Sequence, residues 1–218
     1  MKNVVLIHGL YMPTLTMKVL ANRLESKGYS VHVFGYNTLD FGSAAAKLNA
    51  FVGARFSAQD DVHFVGHSMG GLVIRDYFDK FKPVFNDSSV VTIGSPHSGA
   101  MCARFLKKFK TSFILGRSVE ALSTGLEQKP VHPDFGVIVG TCNAGLGYII
   151  GMKGGDGLVS LDDAKFEYAK ETTFINREHI ALIYSKTVVE QVHSFIESRA
   201  FVRVTETQHP MMERCIRS

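Results

Sequence analysis

Ser68 lies in Gly66-His67-Ser68-Met69-Gly70-Gly71, a G-x-S-x-G pentapeptide with one further glycine behind it. A hydroxyl in that setting can attack an acyl carbonyl if the chain also supplies a base, an acid to orient the base, and donors for the oxyanion. The pentapeptide follows the apolar run Asp61-Val62-His63-Phe64-Val65 and opens the amphipathic run Leu72 to Phe78. That strand-to-helix context is the one in which a serine is held exposed at the tip of a sharp turn, the nucleophile elbow. Gly66 and Gly70 give the flanking backbone room for a turn that strains the serine itself.

On such a scaffold the catalytic residues run in the order serine, acid, histidine, and one oxyanion donor precedes the serine. His8-Gly9-Leu10-Tyr11 follows the first apolar run, and a His-Gly pair there turns the next amide toward the cavity. The backbone N–H groups of Leu10 and Met69 are therefore the expected oxyanion hole, the second because it heads a helix whose first amides lack partners. His8 reads as a residue that bonds neighbouring backbone. For the acid, Gly154-Gly155-Asp156-Gly157-Leu158 offers a carboxylate between glycines that let the loop bend inward; Asp162 and Asp163 compete from a more polar stretch, and Asp134 precedes its strand and so emerges at the wrong end. For the base, His179 in Asn176-Arg177-Glu178-His179 sits between the sixth apolar run and the last helix, whereas His193 lies inside that helix. His179 would take the Ser68 proton while Asp156 fixes its tautomer. Tyr11, His67 and His97 are candidate substrate contacts, although His97, in Gly94-Ser95-Pro96-His97-Ser98-Gly99, reads equally well as a turn residue satisfied by carbonyls.

These residues need a sheet whose strands all end on one side, and the pattern supplies it. Apolar runs at Val4–Ile7, Ser30–Phe34, Val62–Val65, Ser89–Ile93, Phe135–Val139 and Thr172–Ile175 alternate with helix-like segments, which predicts a mostly parallel α/β sheet of about six strands with helices on both faces. Helices are expected from Met17 to Leu24, Ala44 to Phe56, Leu72 to Phe81 and Ser185 to Ser198. Residues 98–134 form the longest interval between strands, either a small cap or lid or an ordinary crossover, within one domain spanning 1–218. The tail from Ala200 has no clear period.

Composition excludes several classes. With 45% hydrophobic and 20% charged residues and a net charge of +4 without long like-charge runs, nothing points to nucleic acid. The most basic stretch, Arg104 to Lys110, reads as a solvated helix face rather than a membrane anchor. Cys102, Cys142 and Cys215 are odd in number and far apart, which suggests neither disulfides nor zinc. The short apolar run after Met1-Lys2-Asn3 does not fit a signal peptide, and no stretch reaches the length of a membrane span. A cytoplasmic protein is the expectation, with the oligomeric state left open.

Taken together, His8-Gly9-Leu10, Gly66 to Gly71, Gly94 to Gly99 and Gly155-Asp156-Gly157-Leu158-Val159 resemble, in order, the oxyanion loop, elbow, G-[ST]-P-H-x-G segment and acid loop of α/β-hydrolases of the bacterial lipase and serine-esterase type. The resemblance extends from residue 2 to about 198. It implies a core sheet lacking the first two strands of larger members, and ester hydrolysis through an acyl-enzyme; the expected mechanism requires no metal or organic cofactor, and the limited cap points to a small-molecule acyl ester or lipid substrate. The intervals here are short, no separate lid domain is evident, and the motif around His179 is less distinctive than the others. Acyl transfer or thioester hydrolysis on the same residues, and a non-catalytic binding protein on the same scaffold, are the alternatives.

Overall fold

The computed structural model describes residues 1–143 and 146–203. Among them β1 (Asn3–Ile7), β2 (Ser30–Phe34), β3 (Asp61–His67), β4 (Asp87–Ile93), β5 (Phe135–Gly140) and β6 (Glu171–Ile175) form one sheet in the order β2-β1-β3-β4-β5-β6. All five pairings are parallel. The central strands are buried on both faces, which is why they are written as unbroken apolar runs rather than alternating ones.

The two-residue period of each strand divides its side chains between two cores. Val5, Ile7, Phe64, Val90 and Val137 pack with α2 (Phe41–Gly53) and α3 (Met69–Phe81). Val4, Leu6, Val65, Val91 and Ile138 face the other way, onto α1 (Lys18–Glu25) and α7 (Lys186–Ser198). Helices thus cover both faces, as a parallel sheet requires.

The strand order reverses between β1 and β3, and the loops leaving those strands diverge at their carboxyl ends. Open α/β sheets bind ligands in the crevice at such a switch point. The 98–134 interval folds as α4 (Met101–Lys108), a 3-10 turn (Ser112–Ser118), α5 (Val119–Thr124) and an extended return to β5. A short α6 (Leu146–Ile149), which sequence periodicity did not reveal, precedes the loop that carries Asp156.

Two helices begin earlier than periodicity predicts: α2 starts at Phe41 rather than Ala44, and α3 at Met69 rather than Leu72. In α3 this brings Gly70, read from the sequence as part of the elbow turn, inside the helix. At Gly70 the reason is close approach, since a Cβ there would stand 2.3 Å from the Ile7 carbonyl oxygen. Beyond α7 the chain turns at Arg199, whose guanidinium bonds Asp87 and Asp134, and Phe201 packs on Phe195. The rest of the tail, with Cys215, lies outside the described residues.

Candidate active site

Ser68 joins β3 to α3 at φ 54° and ψ −124°, a left-handed conformation that costs a non-glycine residue on the order of 1–3 kcal/mol. Its neighbours make the turn feasible: a Cβ on Gly66 would come within 2.6 Å of the Gly71 nitrogen. The Ser68 N–H donates to the Ile93 carbonyl at 2.9 Å, tying the elbow to the end of β4. Ser68 itself is half-buried.

The loop after β1 closes on the elbow from the other side of the switch point. A Cβ on Gly9 would stand 2.9 Å from that of Ser68. His8 is buried, with Nδ1 at 3.0 Å from the Gly9 carbonyl, its ring stacked on Tyr36 and its own carbonyl accepting the Tyr36 hydroxyl at 3.0 Å. Burial holds its pKa below the ordinary value. His8 therefore shapes the loop. The next turn is fixed by the Met12 N–H donating to Gly9 and the Tyr11 N–H donating to Thr38 Oγ1. The Leu10 N–H has no acceptor among the described residues, and the Met69 N–H heads α3, where first-turn amides have no intrahelical partner.

Asp156 sits in a loop bent by Gly154, Gly155 and Gly157, all with positive φ. Its Oδ1 accepts the N–H groups of Leu158 at 3.0 Å and Val159 at 2.8 Å. Its Oδ2 lies 2.7 Å from His179 Nδ1, and the two residues are only 1% and 3% exposed. The backbones are joined as well, His179 N–H donating to the Asp156 carbonyl at 2.8 Å. Behind His179, Glu178 accepts the Ala181 N–H at 2.9 Å and so pins the turn that follows. Gly94, at φ 56°, leaves space for this pair: a Cβ there would be 2.9 Å from Asp156 Oδ2 and 3.3 Å from His179 Nδ1. That role of Gly94 is invisible in the sequence, because it depends on residues far along the chain.

The rival carboxylates have other partners. Asp163 caps α4 by accepting the Met101 N–H and pairs with Arg104, Asp162 pairs with Lys165, and Asp134 pairs with Lys170 at the opposite sheet edge. His193 bonds the Tyr29 hydroxyl.

Of the three side chains expected to meet substrate, Tyr11 is 57% exposed in the loop after β1, and His67 and His97 are fully buried. His97 lies in the core between Thr92, Arg75 and Phe166, and burial followed by the Arg75 charge pushes its pKa well below the ordinary value. The partner that draws it inward, Arg75, is itself buried, bonded to the carbonyls of His97 and Glu127 and stacked on Phe166. His67 is also fully buried. Its Nε2 donates to the His179 carbonyl at 3.1 Å, and burial, then the nearby His179, pushes its pKa down to about 3. It supports the backbone of His179.

Cys102 and Cys142 are free thiols, and no group of three metal-ligating side chains occurs among the described residues.

The family model described as palmitoyl protein thioesterase matches residues 3–130, a stretch that holds the elbow and the loop after β1 but neither Asp156 nor His179. None of the curated proteins compared with the chain matches it. Among solved structures, the mature form of the Bacillus licheniformis lipase BlEst2 superposes with a TM-score of 0.73 at 20% identity, covering 92% of each chain. The ydeN gene product of B. subtilis gives 0.63 at 13%, over 91% of this chain and 100% of that one. Tomato methylketone synthase I complexed with 2-tridecanone gives 0.63 at 15%, over 91% and 99%. At these identities the likeness is one of architecture, and the architecture is the α/β-hydrolase fold.

Proposed function

The chain belongs to the palmitoyl protein thioesterase family, and from that premise we propose that it hydrolyses carboxylic acyl esters through Ser68, His179 and Asp156. The observation that carries the reading is the buried 2.7 Å contact between Asp156 Oδ2 and His179 Nδ1, on loops that leave the same sheet edge as the elbow. A carboxylate only accepts, so the Nδ1 proton points at Asp156 and Nε2 keeps its lone pair. That tautomer is the one a general base needs.

In the proposed cycle Ser68 Oγ attacks the acyl carbonyl as His179 Nε2 takes its proton, and Asp156 steadies the imidazolium. The Leu10 and Met69 amides hold the oxyanion. His179 then protonates the leaving group, and water activated by the same nitrogen releases the acid. Ser68 Oγ has no hydrogen bond to the described residues, and in the proposed cycle its hydrogen bond to His179 Nε2 forms when substrate arrives, as catalytic contacts often do. Nothing in the cycle calls for a metal or organic cofactor. The family's description favours a second reading on the same residues, cleavage of an acyl thioester.

The test is labelling by a fluorophosphonate together with turnover of matched p-nitrophenyl ester and thioester series. We expect wild type to label and Ser68→Ala not to. An unlabelled wild type, or an alanine variant that labels equally, defeats the reading; the ratio of ester to thioester turnover decides between its two forms.

A further inference from the structure

The segments that rim the crevice carry an uncommon surface. α4 turns Cys102, Ala103 and Leu106 toward the body of the protein and leaves Phe105 outside, where its ring packs at 4.6 Å on that of Phe109 just beyond the helix. The following turn exposes Phe113 to 79%, and α6, which packs against α4, exposes Tyr148 and Ile149 to 74% and 79%. Large apolar side chains this open, gathered on adjacent helices, mark an interaction surface rather than the scatter normal on a protein exterior.

Charge says what kind of partner fits. Residues 101–118 and 146–153 together hold six basic residues and no acidic one. Lys107 is paired with Glu120 and Arg104 with Asp163, whereas Lys108 and Lys110 have no ion pair among the described residues. Aromatic and aliphatic side chains interleaved with unpaired lysines match an anionic lipid surface, whose acyl boundary takes the rings and whose headgroups take the ammonium groups. Among the described residues no helix is long and apolar enough to cross a membrane, so the contact is peripheral.

The rim is joined to the site by hydrogen bonds. The Gly147 N–H of α6 donates to the Gly157 carbonyl in the acid loop at 2.7 Å. The Arg117 N–H donates to Leu39 at 2.8 Å, next to the Thr38 side chain that holds Tyr11. Both segments are thus anchored to the loops that bound the crevice.

We propose that the α4–α6 rim docks this protein on an anionic lipid bilayer with the Ser68 crevice turned toward it. The position of the crevice, but not the docking, rests on the hydrolase reading. The test is co-sedimentation of the whole chain with phosphatidylcholine vesicles, with and without phosphatidylglycerol, at low and high salt. Wild type is expected to partition onto phosphatidylglycerol vesicles and to leave them as salt screens the contact. The pairs Lys108→Glu with Lys110→Glu, and Phe109→Ser with Phe113→Ser, should each bind about tenfold or more weakly, while circular dichroism and turnover of a short soluble ester stay at wild-type levels. Absence of partition, equal binding to neutral vesicles, or variants that bind like wild type would overturn the proposal. So would a lipid-free dimer, seen by sedimentation velocity, that Phe113→Ser dissolves. Binding without turnover would fail the hydrolase reading alone, and turnover without binding the docking alone.

Discussion

Replacing Asp156 by Asn changes one atom, and the structure dictates where that atom goes. Oδ1 accepts two backbone N–H groups, from Leu158 and Val159. If the amide nitrogen faced them, two buried donors would lose their acceptor, at about 1–3 kcal/mol each. The side-chain oxygen therefore stays on those amides, and the new NH2 faces His179 Nδ1. Two donors cannot share that contact, so the histidine moves its proton to Nε2 and no longer offers a base to Ser68. Loss of the correct tautomer in an otherwise intact site costs about 10⁴ in kcat, or roughly 5 kcal/mol of barrier. Stability should change by only about 1 kcal/mol, because the hydrogen bonds that shape the loop survive. The assay is kcat/KM on a soluble ester beside a thermal melt, with Asp163→Asn as the control, expected to keep activity within a few-fold. Activity of Asp156→Asn within about tenfold of wild type, or an equal loss in Asp163→Asn, would refute the assignment.

Ser68→Gly should abolish turnover yet raise stability by about 1 kcal/mol, since relief of the left-handed strain exceeds the added backbone entropy of the unfolded chain; a lower melting temperature would contradict this. Gly94→Ala places a Cβ against Asp156 Oδ2 in a left-handed backbone, and we expect roughly a hundredfold loss of kcat from displacing the pair together with a lower melt. An alanine variant as active as wild type would show that the approach is not tight. Burial pushes the pKa of His63 down to about 4 and that of His67 to about 3. The unfolded chain thus binds more protons below the ordinary histidine value near 6.5, so stability is full above that pH and falls as pH drops toward 4 and 3. The slope is about 1.4 kcal/mol per pH unit for each histidine; urea midpoints that do not move between neutral pH and the acid side of that window would refute it.

The strands were the most legible part of the chain, and the reason is their burial on both faces: Val4–Ile7 and Phe135–Val139 have no polar interruption to confuse their limits. The order β2-β1-β3-β4-β5-β6, which the apolar pattern did not specify, puts the loops after β1 and β3 on either side of one crevice. Legibility failed where a residue's role depends on a distant partner. Gly70 looked like part of a turn because its contact, the Ile7 carbonyl, is remote in sequence. His97 ends a strand where ligands commonly bind, but Arg75 reaches it from inside α3 and commits its carbonyl to the core. The four-residue α6 is too short to show a period, so the half of the rim that it forms could not be foreseen. The lysines and phenylalanines of α4 were visible in the sequence; that the rings point outward was not.

On the proposed assignment, His67 and His179 give one type of side chain opposite tasks. The rings of His67 and His179 are 4.8 Å apart, close enough that a charge on one opposes a charge on the other. A base that becomes an imidazolium during turnover needs an anion on one side and no cation on the other. Asp156 provides the first condition. The second is met by placing His67 where no water reaches it, with its Nε2 proton committed to the His179 carbonyl and its pKa near 3, so that it stays neutral through the pH range in which His179 would work. The motif residue beside the serine thus contributes by what it does not become: a polar but uncharged wall that carries the backbone of the proposed base. An apolar residue there would leave that carbonyl without its donor, and a lysine would raise the cost of the imidazolium.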